Sequence, residues 1–235
     1  MAEPLKQTLQ RLRRRALVEV VGAAARPLQR ARPDDPYHAV FADFIALANE
    51  REGYRVLELG SRGTHVDPRL RGFSEYVGFD IHPGPNVDAV GDVHSLSQVV
   101  TGPFDAVYAI STFEHLAMPW KAVLEINAVL ADGGLLFVAT HQTWPPHELP
   151  WDFWRYSPAA FQVLLNAHTG FEIVRAESGL PALIVPMVRD VGTRGVHRSP
   201  ANLGVSVLAR KVSRPRPDLR WDLAAADVLA SEYPV

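Results

Sequence analysis

Cysteine is absent from this chain of 235 residues, which removes disulfides, thiolate zinc sites and cysteine nucleophiles. No apolar run approaches the roughly 20 residues that a bilayer-spanning helix needs. The first residues lack the apolar stretch and small-residue cleavage site of a secretory signal. A cytoplasmic protein without stable membrane insertion is therefore expected. Aromatic residues are missing from the one strongly basic segment, residues 1–32, so nothing there stacks on bases and nucleic acid is not an expected partner. No internal repeat is visible, and neither sign of charge dominates: 24 Lys and Arg face 26 Asp and Glu.

The charge present is unevenly placed. Residues 1–32 hold eight basic side chains (Lys6, Arg11, Arg13, Arg14, Arg15, Arg26, Arg30 and Arg32) against Glu3 and Glu19, a net +6, which leaves −8 for the rest of a chain of net −2. A basic helix of this kind is either a solvated face or a contact for a membrane surface, nucleic acid or acidic partner. Leu5, Leu9, Leu12, Leu17 and Val21 give helical spacing over 4–25, with Pro27 beyond the end. A turn follows at 32–36, then a second helix over 37–49 carrying Phe41, Phe44 and Ile45.

Beyond it, strand and helix signals alternate. Strands are expected at 56–59, 76–79, 106–110 and 135–139, helices at 119–130 and 157–167, with Asp132-Gly133-Gly134 stopping the first helix. Late strands at 171–175 and 205–210 read as an antiparallel pair. The pattern predicts an α/β fold: a doubly wound, Rossmann-like, mostly parallel seven-stranded sheet with an antiparallel C-terminal strand, plus N-terminal helices. Three parts follow: residues 1–36, a basic helical extension able to lid the site; 37–212, the cofactor-binding domain; and 213–235, a tail with a short helix near Trp221–Ala230.

Val56-Leu57-Glu58-Leu59-Gly60-Ser61-Arg62-Gly63 runs from an apolar strand into a glycine turn, and Tyr76-Val77-Gly78-Phe79 ends on Asp80. Such a turn and acid lie over one crevice in a doubly wound sheet, where a carboxylate accepts hydrogen bonds from ribose hydroxyls. An adenosine-containing cofactor is implied. Arg62 stands where a dinucleotide turn needs its second glycine, which argues against NAD, and no G-K-[ST] follows to make a P-loop.

Gly91-Asp92-Val93-His94, then Phe104 to Ile110 leading into Ser111-Thr112-Phe113-Glu114-His115-Leu116, then Leu130-Ala131-Asp132-Gly133-Gly134 complete an ordered set. From about Val56 to Phe171 the chain resembles class I S-adenosylmethionine-dependent methyltransferases. It is similar in particular to small bacterial members with a type 11 core, some associated with polysaccharide assembly. The resemblance implies that Glu58 and Gly60 frame the methionine part, with Ser61 and Arg62 in the same turn. It also implies that Asp80 holds the ribose, Ile81 packs on adenine, and Asp92 beside Val93 reads the adenine amino group. Ser111, Thr112 and His115 would line the cofactor or acceptor side.

Thr140 to Tyr156 holds Trp144, Trp151 and Trp154, two histidines, two acids and Arg155 after a carboxyl strand end. Indole faces beside carboxylates suit a carbohydrate, so these three Trp with Arg155 and Tyr156 form the candidate substrate wall. The plainer reading is that the aromatics cap the sheet and Asp152 pairs with Arg155. A hydroxyl needs its proton removed to be a good nucleophile. His141, just past a strand end, is the first candidate base, followed by His147 and His115, with Glu148 or Asp152 orienting the imidazole or binding the acceptor. His141, His147, Glu148 and Asp152 match no metal-ligand spacing, so no metal site is assigned, and Mg²⁺ stands only as a minor alternative.

The expectation is an S-adenosylmethionine-dependent O-methyltransferase acting on a saccharide or a saccharide-bearing metabolite, with a homodimer left open. The alternatives are N- or C-methylation of another small metabolite, and a non-catalytic binding module with a basic N-terminus.

Overall fold

Glycine-bounded apolar strands alternating with helices build one mixed sheet in the computed structural model, which describes residues 2–29, 34–63, 65–188 and 190–220. The helix expected near Trp221–Ala230 lies outside the described residues. The chain forms two compact units, Met1–Asp34 and Asp35–Val235. In the first, α1 covers Ala2–Ala25 and passes into a 3₁₀ turn, Arg26–Leu28, with Pro27 near its start. Arg11, Arg13, Arg14 and Arg15 are exposed along α1, and so are Leu9, Leu12 and Val20. No helix among the described residues is long and apolar enough to cross a membrane.

In the second unit α2 spans Pro36–Ala48. Its start is fixed by Pro36 in the first turn and by the Asp35 carboxylate, which accepts the Tyr37 N–H at 3.1 Å. The strands are β1 (Arg55–Leu59), β2 (Glu75–Asp80), β3 (Ala89–Val90), β4 (Phe104–Ile110), β5 (Leu130–His141), β6 (Phe171–Leu183) and β7 (Pro200–Lys211). Helices α3 (Leu96–Val99), α4 (Pro119–Val129) and α5 (Pro158–Leu164) fall between them. The sheet order is β3-β2-β1-β4-β5-β7-β6, parallel throughout except for β7, which is antiparallel to both neighbours. The expected mostly parallel, doubly wound sheet is thus present. The chain leaves β1 in one direction to build β2 and β3 and in the other to build β4 and β5. That places the switch point at the carboxyl ends of β1 and β4.

Alternation along the strands divides the core between two faces. Leu57, Leu59, Val107, Ala109, Leu136 and Val138 pack with Val123 and Ile126 of α4 and Phe161 of α5. On the opposite face Val56, Ala106, Tyr108, Leu135 and Phe137 meet Val40 and Phe44 of α2. Each buried Val, Leu, Ile or Phe among them contributes about 1.5–3 kcal/mol.

The elements depart from expectation at their ends. α4 stops at Val129, and Leu130 already pairs with Phe104; the next pair is Ala106 with Leu135, so Ala131 to Gly134 bulge inside β5. α5 ends at Leu164 rather than Ala167, β6 and β7 run well past the expected 171–175 and 205–210, and the two-residue β3 carries too little pattern to be read.

Candidate active site

The carboxyl ends of β1, β2 and β4 open on a cavity of about 260 Å³. Gly60 ends β1 with φ +80°, and a Cβ there would stand 2.2 Å from Thr112 Oγ1, so both the backbone and the close approach of Thr112 require glycine. At the end of β2, Asp80 accepts the Arg62 N–H at 3.2 Å and the His82 N–H at 3.0 Å, which aims its carboxylate across the opening. Asp92 follows β3. Its Oδ1 accepts the His94 N–H at 2.9 Å and lies 2.5 Å from His94 Nδ1. His94 Nε2 accepts the Met118 N–H at 3.1 Å, so the imidazole proton sits on Nδ1 and points at the carboxylate. Burial pushes the Asp92 carboxyl up, but the hydrogen bonds from His94 outweigh it and hold the group below its ordinary range.

The other side of the cavity is formed by His115, Leu116, Glu148 and Trp151. His115 Nδ1 is 2.5 Å from the Trp151 carbonyl, which can only accept, so Nδ1 carries the proton and Nε2 turns toward Glu148 Oε2 at 3.7 Å. Behind this wall lies Glu114, fully buried, whose Oε2 accepts the Thr140 hydroxyl at 2.6 Å. His141 Nε2 is 3.3 Å from Glu114 Oε1, and its ring stacks on Trp144 at 4.7 Å. Burial lowers the His141 pKa, with Glu114 opposing, which favours the neutral imidazole. The His147 ring stands 4.8 Å from that of His115 and 5.1 Å from that of His141.

Arg155 ties the loop together. Its five N–H groups reach the carbonyls of Trp144, Pro145 and Trp154 and, bidentately, the Asp152 carboxylate at 2.5 and 2.7 Å. Asp152 also accepts the His147 N–H at 2.9 Å, and the Arg155 fork holds its carboxyl far below the usual carboxylate range.

Of the residues singled out in the sequence, Gly60, Arg62, Asp80, Ile81, Asp92, Val93, Ser111, Thr112, His115, Glu148 and Trp151 line the cavity together. Others are placed elsewhere. Glu58 is buried on the α2 face of the sheet, accepting the hydroxyls of Tyr76 and Tyr108, because strand alternation turns it away from the crevice. Ser61 is fully buried beside the turn, its N–H donating to Phe79. Tyr156 belongs to the core: it stacks on Phe161 and donates to the Phe113 carbonyl at 3.0 Å. Trp154 donates to the Leu116 carbonyl at 2.8 Å and meets Trp120 edge-on. Arg155 and Asp152 are occupied with each other, so neither is placed to bind an acceptor or take its proton. His141, His147 and Trp144 form a second layer next to the cavity wall. Two residues of the ordered set that were not singled out also stand here: His94 lines the cavity, and Glu114 lies behind its wall.

Residues 19–178 match the family model of a methyltransferase domain. No curated protein matches the chain. Among solved structures, the chain is similar to a proposed methyltransferase from Bacillus halodurans C-125, with 16% identity over 74% of this chain and 100% of that one and a TM-score of 0.54. YcgJ from Bacillus subtilis gives 16% identity over 74% and 97%, with a TM-score of 0.53. An S-adenosylmethionine-dependent methyltransferase from Mesorhizobium loti gives 16% over 73% and 97%, with a TM-score of 0.50. At these identities the likeness is one of fold.

Proposed function

The chain belongs to the methyltransferase-domain family, and we propose that it is an S-adenosylmethionine-dependent O-methyltransferase acting on a hydroxyl of a saccharide or saccharide-bearing metabolite. One observation carries the reading: a single cavity has carboxylates from two strand ends at one side and an imidazole, an indole and a carboxylate at the other.

The residues present suit the cofactor. Asp80 offers carboxylate oxygens to ribose hydroxyls, Asp92 offers one to the adenine amino group, and Ile81 and Val93 supply apolar surface for the ring. Gly60, with Arg62, Ser111 and Thr112, leaves the floor open for the amino-acid part. When bound, the cofactor supplies a methyl group already activated on a sulfonium centre. What remains for the chain is to hold an acceptor oxygen in line and remove its proton.

Trp144 keeps an exposed indole face (43% exposed) beside His141, and Trp151 lines the cavity. These faces suit the C–H side of a sugar ring. His141 takes the hydroxyl proton. Glu114 Oε1 lies 3.3 Å from its Nε2, so the buried carboxylate faces that nitrogen and Nδ1 is the one left to act as base.

Calorimetric titration with S-adenosylhomocysteine, alongside NAD, tests the cofactor assignment: micromolar binding of the first and none of the second is expected. Replacing His141 with Ala should lower turnover by about 10²–10⁴-fold and spare that affinity. A silent titration ends the methyltransferase reading, and an unchanged rate in the variant removes His141 as base.

A further inference from the structure

We infer that Glu114, His115 and His147 form a site for one divalent first-row transition ion, set directly behind the acceptor side of the cavity. One ligand atom from each lies within 4.8 Å of the other two. Two bonds of about 2.1 Å span at most about 4.2 Å, so a small inward movement closes the set around an ion.

Charge argues for an ion as strongly as distance does. The Glu114 side chain is fully buried, and its Oε1 has no hydrogen-bond donor. Its one ion-pair contact among the described residues is His141 at 3.3 Å, and no Lys or Arg pairs with it. A carboxylate taken out of water needs an opposite charge close by. Around it stand imidazoles instead, the ligands that favour zinc, iron, cobalt or nickel over magnesium.

The outer contacts fit the same reading. His115 is held by Nδ1–H donation to the Trp151 carbonyl, which fixes the orientation of the ring and of its Nε2. His147 Nδ1 lies 3.3 Å from the Pro145 carbonyl and 3.4 Å from Asp152, and Arg155 pins that carboxylate in turn. Metal-bound histidines are ordinarily oriented in this way by a carbonyl or carboxylate on the second nitrogen.

Two imidazoles and one carboxylate leave a coordination position open. His115 borders the cavity, as does Glu148, whose Oε2 is 3.7 Å from His115 Nε2. An ion here would hold the acceptor hydroxyl and lower the pKa of its proton, which then passes to His141. That role rests on the methyltransferase reading, whereas the ion site stands without it.

The test uses the full chain stripped of metal by a chelator and titrated with Co²⁺ and with Zn²⁺. The readouts are the visible absorption of bound Co²⁺, the stoichiometry by calorimetry, and S-adenosylhomocysteine affinity measured in parallel. One ion per chain is expected, weakened about 100-fold or more in both Glu114→Gln and His147→Ala. Cofactor-product affinity should stay within about twofold of the parent in each, which also shows that each variant is folded. Ion binding that survives in His147→Ala, or that is absent from the parent while S-adenosylhomocysteine binds, overturns the site. Ion binding without S-adenosylhomocysteine binding supports the site and rejects the methyltransferase reading instead.

Discussion

Arg155 shows how far a single residue's role depends on what surrounds it. In the sequence it stands among three tryptophans and reads as an acceptor contact; in the structure all five of its donors are engaged within its own loop. Tyr156 and Glu58 mislead in the same way, because residue type and spacing do not say to which face a side chain turns. Asp80, Asp92 and His115 line the cavity together: Asp80 closes β2, and the other two lie in the segments that follow β3 and β4, where this architecture opens its crevice. Glu114 was not legible, since nothing in a lone carboxylate announces complete burial. At Asp92 the sign of the pH dependence follows from its shift. Its carboxyl is held below the ordinary value, so the stability it contributes is fully present above about pH 4 and is lost as the pH falls through the folded-state value. Denaturant unfolding of the parent and of Asp92→Asn should give a constant stability gap from pH 8 to 5 that narrows below about 4. A gap that stays constant down to pH 3 would mean that His94 does not hold the carboxylate ionised.

At the scale of elements, periodicity found every long helix and strand except in their extents. The sequence pattern predicts a strand only over 171–175, and Gly179 and Pro181 beyond it are poor strand formers. β6 continues to Leu183 as an edge strand, where a proline costs no ladder bond on the open side. The small residues have a packing reason. Gly179 and Gly204 face each other across β6 and β7, and the start of α2 lies over them. A Cβ on Gly204 would come 2.7 Å from the Tyr37 ring, and one on Gly179 would come 2.0 Å from Asp35 Oδ1. The Gly204→Ala substitution should therefore destabilise by about 1–3 kcal/mol through overpacking. Adding Tyr37→Ala should recover part of that loss in chemical denaturation. Simple additivity of the two would show that Tyr37 is not what the new methyl meets.

At the scale of the whole molecule, the core clusters of the described residues belong to the unit Asp35–Val235 and begin at Tyr37. Removing residues 1–34 should therefore leave a single cooperative unfolding transition with an unchanged midpoint. The same truncation tests residues 1–36 as a lid, through a faster release of S-adenosylhomocysteine. A lowered midpoint would show instead that the helix supports the sheet domain. The strand order has a further consequence, for the time at which the protein takes shape. Among the described residues β7 is the last strand, yet it lies between β5 and β6, and it is the strand with which β6 pairs. The Ser206 hydroxyl donates to the Tyr37 carbonyl across 169 positions of chain. As the polypeptide leaves the ribosome, β1 to β5 can assemble in order, but β6 and part of the apolar face of α2 must wait for β7. Until then an unpaired edge and an uncovered apolar helix are open to chaperones and to aggregation, so this half of the sheet is the part most dependent on prompt completion of the chain.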